Sequence, residues 1–346
     1  MARRVSNPPN PWESTHVEWL GEPPLARLEV YEEEARTVLS RNESPDIPFR
    51  YSVNPYRGCQ HACAYCYARP SHQYLGFGAG TDFEKRIVVK TNAAECLARE
   101  LAKRSWRGEP ITFSGNTDCY QPLEASYALT QACLEVCRQR RNPVAVITKS
   151  SLVLRDLDLL TSLARAADVR VFVSVPFADA SDCRALEPGA PVPAKRFETL
   201  RALAAAGIRT GVAVAPLIPG LNEAQVPEIL ERAAAAGAKS AFLVLLRLAA
   251  EVEPVFRERL ETSLPARARH VFSALDDVRR GQARPWNFGT RMHGRGPRWE
   301  SVKRLFELHA RRLGLATREG EDTLRPMTPE VERPAHGQGL LFGGDA

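Results

Sequence analysis

The chain has 346 residues, 44% hydrophobic and 25% charged, a balance that suits one large or two modest globular domains. No apolar run is long enough to span a bilayer, and Met1-Ala2-Arg3-Arg4 leads into polar, Pro-rich sequence instead of a secretory signal, so the expected location is cytoplasmic, with no membrane contact and with all eight cysteines reduced. The formal net charge of +6 is concentrated, because ten Lys/Arg stand against two Asp/Glu between Arg279 and Leu313, a local excess of +8.

Residues 1–45 read as a Pro- and Glu-rich N-terminal extension, with a short helix expected around Leu25 to Leu39. Asp46 to Val53 then leads into a first strand that ends at Asn54-Pro55-Tyr56-Arg57-Gly58-Cys59-Gln60-His61-Ala62-Cys63-Ala64-Tyr65-Cys66-Tyr67. Cys59, Cys63 and Cys66 stand there at C-x3-C-x2-C spacing. Three thiolates so close together can converge on one soft metal centre, and iron–sulfur clusters are held in this way. A cubane cluster with three local ligands keeps one iron open, and an open position is what separates a reactive metal site from a structural staple. Two other readings fit the spacing. Zinc could take the three thiolates with His61 or His72 as fourth ligand, and Cys63 and Cys66 could form a dithiol redox pair, which leaves Cys59 without a role.

Apolar, β-branched-rich runs follow at Pro110 to Ser114, Val144 to Thr148, Val169 to Val175, Ile208 to Ala215 and Ala241 to Leu246. They do not alternate, as expected of strands buried on both faces of a parallel sheet. Helical patterns separate them at Asn92 to Arg104, Leu123 to Arg141, Leu152 to Ala167, Ala194 to Ala206 and Glu223 to Ala236. Each strand-plus-helix unit takes roughly thirty residues, the size of a βαβ element. With the strand before the cysteine loop this makes six βα units, an α/β chain. Right-handed crossovers permit an open doubly wound sheet or a barrel. No Gly-x-Gly-x-x-Gly follows the first strand, which removes support for a nucleotide-binding doubly wound sheet, and six units are too few for a complete eight-stranded barrel.

Ligands of parallel α/β folds bind at the carboxyl ends of the strands. After the second strand come Ser114-Gly115-Asn116-Thr117-Asp118, where glycine admits a ligand to the backbone and the carboxylate and hydroxyl can meet an ammonium group. After the third come Lys149-Ser150-Ser151, with a cation suited to a carboxylate. Ser174 ends the fourth with a hydroxyl suited to a ribose. Pro216-Leu217-Ile218-Pro219-Gly220 follows the fifth as an apolar ledge for an adenine face, and the sixth ends near Arg247. Each could be an ordinary turn. Together they offer one group each for the amine, carboxylate, ribose and adenine of a single cofactor.

The cysteine loop, with an aromatic residue, Tyr65, before its third cysteine, resembles the signature of the radical S-adenosylmethionine (radical SAM) superfamily. Asn54-Pro55-Tyr56-Arg57-Gly58-Cys59, Cys66-Tyr67-Ala68-Arg69-Pro70, Thr148-Lys149-Ser150 and Pro216-Leu217-Ile218-Pro219-Gly220-Leu221-Asn222 resemble its spore photoproduct lyase-like group of DNA repair enzymes. The resemblance runs from about Ile47 to Arg247 and implies a partial six-stranded (β/α)6 barrel with an open side. It also implies a [4Fe–4S] cluster on Cys59, Cys63 and Cys66, whose open iron is chelated by S-adenosylmethionine. By matching position, Tyr65, Tyr67, Thr117, Asp118, Lys149 and Ser174 are the implied cofactor contacts, joined by Gly115, Asn116, Ser150, Ile218 and Gly220 from the strand ends. Tyr67 is further implied in hydrogen-atom transfer. Gly115 stands where the lyase carries a hydrogen-donating cysteine. The nearest thiol is Cys119, either a displaced donor or a small buried residue. An electron donor such as flavodoxin or ferredoxin is implied as a partner.

The core is expected to occupy residues 46–250, a helical, basic C-terminal region residues 251–316, and a disordered tail residues 317–346. Helices are expected near Val255 to Glu261, Ala266 to Arg280 and Arg298 to Leu313. Within the basic segment 279–313, Trp286, Phe288 and Trp299 alternate with Arg284, Arg291, Arg295 and Arg298, which suits either a nucleic-acid surface or a cap with a tryptophan core. Gln338-Gly339-Leu340-Leu341-Phe342 resembles peptides that bind the bacterial sliding clamp, with Gly339 out of pattern. Cys133 and Cys137 share a helical face and read as core hydrophobes, and Cys96 and Cys183 have no motif around them. These observations lead to a radical SAM enzyme acting on nucleic acid. The same chemistry on a peptide or small metabolite, and a zinc-stapled nucleic-acid-binding protein without catalysis, remain as alternatives.

Overall fold

Each of the expected core strands forms, and they lie side by side in chain order. The structure is a computed structural model that describes residues 3–4, 7–12, 25–44, 46–279 and 293–317. The parallel strands are β1 (Tyr51–Val53), β2 (Ile111–Phe113), β3 (Val144–Thr148), β4 (Val169–Ser174), β5 (Arg209–Leu217) and β6 (Ser240–Leu245). Helices α1 (Ala93–Leu101), α2 (Leu129–Gln139), α3 (Leu157–Ala164), α4 (Pro193–Ala205) and α5 (Val226–Ala235) return the chain between successive strands. Sequential neighbours joined by helical crossovers give a barrel-type progression.

All six residues of β4 are buried, which explains its unbroken apolar run. Val171 and Val173 join the main core, while Phe172 meets Phe242 of β6 with ring centroids 5.2 Å apart. Gly211 of β5 makes room for that pair, because a Cβ there would lie 2.4 Å from the Phe172 ring. Cys96, Cys133 and Cys137 are buried in the main core, as expected of small hydrophobes.

Two strands extend the six. Leu39–Arg41 pairs antiparallel with β1, and Ala316–Thr317 pairs parallel with β6. A separate three-stranded sheet joins Glu29–Glu33 and Tyr56–Arg57 to Arg86–Lys90, whose Ile87, Val88 and Val89 are buried. The expected helix from Leu25 to Leu39 does not form. Its periodicity is weak, and backbone pairing with the buried Arg86–Lys90 strand overrides a weak local preference.

The expected helix Leu123 to Arg141 is broken at Ala128 (φ 53°) into Glu124–Tyr127 and α2. The buried Glu124 carboxylate then accepts from the Thr130 and Gln131 amides at 3.0 and 3.3 Å, satisfying donors that the first turn of α2 leaves open. Beyond β6, α6 (Glu253–Ser263), α7 (Pro265–Arg279) and α8 (Gly296–Arg312) form the helical C-terminal region. Trp299 of α8 is buried beside Gly294 and Leu245, so it serves the core of the cap and not an exposed stacking surface. Trp286, Phe288, Arg284, Arg291 and the tail motif lie outside the described residues. Among the described residues no helix is long and apolar enough to cross a membrane.

If Trp299 holds the cap against β6, Trp299→Ala should cost about 3–5 kcal/mol in urea unfolding, the range for emptying a buried tryptophan site. A loss below about 1 kcal/mol contradicts this placement.

Candidate active site

The cysteine loop has little regular structure, so its backbone groups need partners from elsewhere. Gly58 enters it at φ +80°, where a Cβ would meet Ile87 and the Phe83 carbonyl, and the Cys59 amide donates to that carbonyl at 2.9 Å. Arg69, with no exposed surface, supplies most of the remaining hold. Its Nε and Nη2 donate to the Cys63 carbonyl at 3.0 and 2.8 Å, its Nη1 to the Ala79 and Gly80 carbonyls at 3.0 and 2.8 Å, and its Nη2 to Glu84 at 2.7 Å. On the other side the Ala64 amide donates to the Leu186 carbonyl at 2.9 Å and the Gly189 amide to the His61 carbonyl at 3.1 Å. Gly189 is required there, since a Cβ would sit 2.0 Å from the Gln60 carbonyl oxygen.

All three thiols are free and open onto one cavity of about 260 Å³ at the carboxyl ends of the strands. Burial pushes the Cys63 and Cys66 thiols up in pKa, with Lys149 opposing it at Cys63. A bound metal cation would reverse that and favour the thiolates. Among the described residues no three His, Cys, Asp or Glu side chains gather around one ion-sized point. A cluster that offers separate irons to separate thiols asks for a wider spread, and three soft donors around a shared cavity fit one.

The strand ends complete the cavity. Asp118, beyond β2, is its organising carboxylate. Oδ1 accepts from the Thr148 hydroxyl at 2.7 Å and the Tyr120 amide at 3.0 Å, and Oδ2 from the Lys149 amide at 2.8 Å while lying 3.2 Å from His61 Nδ1. Burial opposes its charge, but His61 and these donors hold its pKa at about 2. Thr117 donates to the Tyr56 carbonyl at 2.9 Å, Asn116 to the Ser71 hydroxyl at 3.2 Å, and Ser174 to the Ala215 carbonyl at 3.1 Å. Tyr67 is half-exposed at the cavity and donates to the Gly115 carbonyl at 2.9 Å. Gly115 itself is packed tightly, because a Cβ would lie 2.6 Å from the Ser52 Cβ. A cysteine therefore cannot replace it without moving β1.

Tyr65, Tyr67, Gly115, Asn116, Thr117, Asp118, Lys149 and Ser174 all line the cavity with the three cysteines. The four other named residues do not. Ser150 faces away and caps the turn Ser151–Asp156 by accepting from the Leu152 amide at 3.1 Å. Ile218 is buried in a second apolar cluster, and Gly220 turns at φ +78° against His270 and Ala274. Ala215 and Pro216 line the wall in their place, and the buried Asn222 fixes this turn through the Ile218 amide and the Pro176 and Pro216 carbonyls. Cys119 is fully buried in the main core, off the cavity, so it is placed as the small buried residue and not as a thiol facing a substrate.

Sequence reasoning passed over the Asp46-Ile47-Pro48-Phe49 segment as cavity lining, and over the buried Glu187 and Arg196 behind Tyr65 and Lys149. A second cavity of about 100 Å³ lies at the opposite ends of the strands, where Asp168 pairs with Arg170 and Arg209.

The family model of the radical SAM superfamily matches residues 53–233, more than half of the chain and the whole stretch from the cysteine loop to α5. The chain belongs to the radical SAM superfamily. The chain is also similar to uncharacterized proteins of Mycobacterium tuberculosis and Mycobacterium bovis, at 43% identity over 194 residues, 56% of this chain and 57% of theirs. The chain thus matches little more than half the length of these relatives. A protein of Pseudomonas phage M6 named radical SAM Nalpha-GlyT isomerase is 25% identical over 226 residues, 64% of this chain and 45% of its own. Among solved structures, spore photoproduct lyase complexed with dinucleoside spore photoproduct superposes with a TM-score of 0.60 at 16% identity, covering 83% of this chain and 81% of the lyase. That likeness shows a shared fold.

The contact at Gly115 makes a stability prediction. Gly115→Ala should destabilise the protein by about 1–3 kcal/mol through overpacking, and Ser52→Gly in the same chain should restore most of the loss. Equal stability of Gly115→Ala and wild type in chemical denaturation contradicts the packing described.

Proposed function

We propose that this chain is a radical SAM enzyme that holds a [4Fe–4S] cluster on Cys59, Cys63 and Cys66 and acts on a nucleic-acid substrate. The observation that carries the enzyme reading is one cavity in which three free thiols face Thr117, Asp118, Lys149 and Ser174 from three strand ends. When bound, the reduced cluster and S-adenosylmethionine supply a 5′-deoxyadenosyl radical able to abstract a hydrogen atom.

The protein's own part is orientation, charge and exclusion of water. Lys149 places an ammonium group at the cavity beside Cys63, and the neighbouring Cys63 and Glu187 keep its pKa up although burial pushes it down. Such a cation suits the carboxylate of an amino-acid ligand. Both Asp118 oxygens are already engaged, so its role is to fix the Lys149 backbone and His61. Ile47, Phe49, Phe242 and Val244 make the far wall apolar, which strengthens electrostatic contacts inside. Tyr67, pinned to the Gly115 carbonyl at the cavity, is the hydroxyl best placed to exchange a hydrogen atom with a substrate.

The nucleic-acid part is supported by charge and by exposed aromatics. Arg279 donates to the Leu246 carbonyl at 2.6 Å, which sets the start of the basic segment at the cavity wall. Arg295, Arg304 and Arg311 are exposed, whereas Arg298 and Arg312 are paired with Glu223 and Glu231. Trp12 and Tyr74 are both largely exposed, with ring centroids 5.8 Å apart and the rings tilted by 37°. Arginines that reach phosphates beside aromatics that stack bases fit a nucleic-acid strand. An oxygen-sensitive cluster fits a reducing, cytoplasmic setting with a low-potential electron donor.

The test is anaerobic reconstitution with iron and sulfide, reduction in the presence of S-adenosylmethionine, and assay for 5′-deoxyadenosine. Wild type should form it and Cys66→Ala should not. Stoichiometric zinc with no product would instead establish the zinc-stapled binder. For the substrate, DNA affinity should fall linearly with the logarithm of salt concentration, and an affinity insensitive to salt contradicts phosphate contacts by the basic segment.

A further inference from the structure

One buried ionic cluster has no part in the chemistry so far. Glu187 follows the helix Ala180–Leu186, Arg196 lies on α4, and each is 1% exposed. Glu187 Oε1 accepts from the Tyr65 hydroxyl and lies 3.8 Å from the Lys149 ammonium. Its Oε2 accepts from Arg196 Nη2 and, at 3.4 Å, from the Cys183 thiol. Arg196 also donates from Nε to the Pro191 carbonyl at 2.7 Å and from Nη1 to the Ser174 carbonyl at 2.9 Å. Tyr65, Lys149 and Ser174 all line the cavity. The cysteine loop and the ends of β3 and β4 therefore meet at one carboxylate–guanidinium pair.

Such a pair is a poor device for stability alone. Two buried charges lose their hydration, and apolar residues of similar volume often serve a fold as well. Its charge balance suits a different purpose. Two cations share one carboxylate, and burial, which would raise the Glu187 pKa, is outweighed by Arg196 and Lys149, so the carboxylate is ionised. Arg196 is saturated by protein acceptors, and the surplus positive charge falls on Lys149, the member of the group with side-chain surface open to the cavity, at 16%. Without Glu187, two like charges would face each other and the Lys149 side chain would be driven from its present direction.

We propose that Glu187 and Arg196 are positioning residues that aim the Lys149 ammonium and the Tyr65 ring into the cavity, and so set its affinity for the carboxylate end of S-adenosylmethionine. The inference rests on the radical SAM reading, and the experiment separates the two. Binding of S-adenosylmethionine, and of 5′-methylthioadenosine as a probe that keeps the adenosyl group but lacks the carboxylate, is measured by calorimetry on anaerobically reconstituted protein of known iron content. Glu187→Gln should retain the wild-type iron content, bind S-adenosylmethionine about tenfold or more weakly, and bind 5′-methylthioadenosine within about twofold of wild type. Because Glu187→Gln leaves Arg196 buried without its carboxylate, the compensated Glu187→Gln/Arg196→Met chain is measured beside it and should still show a selective loss, since Lys149 lacks the carboxylate that directs its ammonium group. Glu187→Asp should recover part of the affinity. Unchanged S-adenosylmethionine binding, or equal loss of both ligands, overturns the proposal by making the pair a structural element. Wild type that takes up no iron and binds neither ligand overturns the radical SAM reading and this role with it.

Discussion

A single buried guanidinium holds the reactive loop in shape. Arg69 gives every one of its hydrogen-bonding nitrogens to the stretch from Cys63 to Glu84, and no water reaches it. A lysine could not reproduce this, since it offers one nitrogen where the planar fork offers three. The clamp connects the loop to Phe83 and Glu84, and the chain then runs directly into the Arg86–Lys90 strand of the side sheet. The thiols are thus held between the side sheet and the barrel, and neither sheet alone would fix them.

Two charge clusters then face each other across the loop. His61 and Asp118 tie it to the ends of β2 and β3, and Tyr65, Glu187 and Arg196 tie it to the ends of β3 and β4. Lys149 belongs to both, through its amide in the first and its ammonium in the second. The cavity between them is a consequence of satisfying buried polar groups as much as a space for a ligand. At its other rim, Gly115 is packed against Ser52, so the wall at that position presents a carbonyl to Tyr67 and has no room for a side chain.

Features set by short-range pattern were legible in the sequence. The β3 run, Val144 to Thr148, was readable to the residue, because a buried parallel strand is an unbroken apolar run between breakers. Six cavity-lining residues, Gly115, Asn116, Thr117, Asp118, Lys149 and Ser174, were legible for a similar reason, since strand ends are marked by a change of composition, whereas Tyr65 and Tyr67 were named by the family resemblance of the cysteine loop. What alternates within a turn was not. Ser150, Ile218 and Gly220 sit at the right strand ends but point behind the wall, and Cys119 turns into the core next to Asp118, which faces the cavity. Long-range pairing was hidden as well. Nothing local tells Tyr65 that its partner is Glu187, 122 positions away, or tells Glu29–Glu33 that a strand at Arg86–Lys90 will claim its backbone. Trp299, among arginines, suited a stacking surface and a cap core alike, and the apolar spacing of Val302, Phe306 and Ala310 places it in the same buried stripe.

The central claim is that three thiols hold a cluster with one position open toward the cavity. Mössbauer spectroscopy of the iron-57-reconstituted wild type, before and after S-adenosylmethionine, tests it most directly. About four irons per chain are predicted, with about one quarter of the signal shifting when S-adenosylmethionine is added. A chain that binds no iron, or a cluster whose irons are all unchanged by S-adenosylmethionine, would contradict the account.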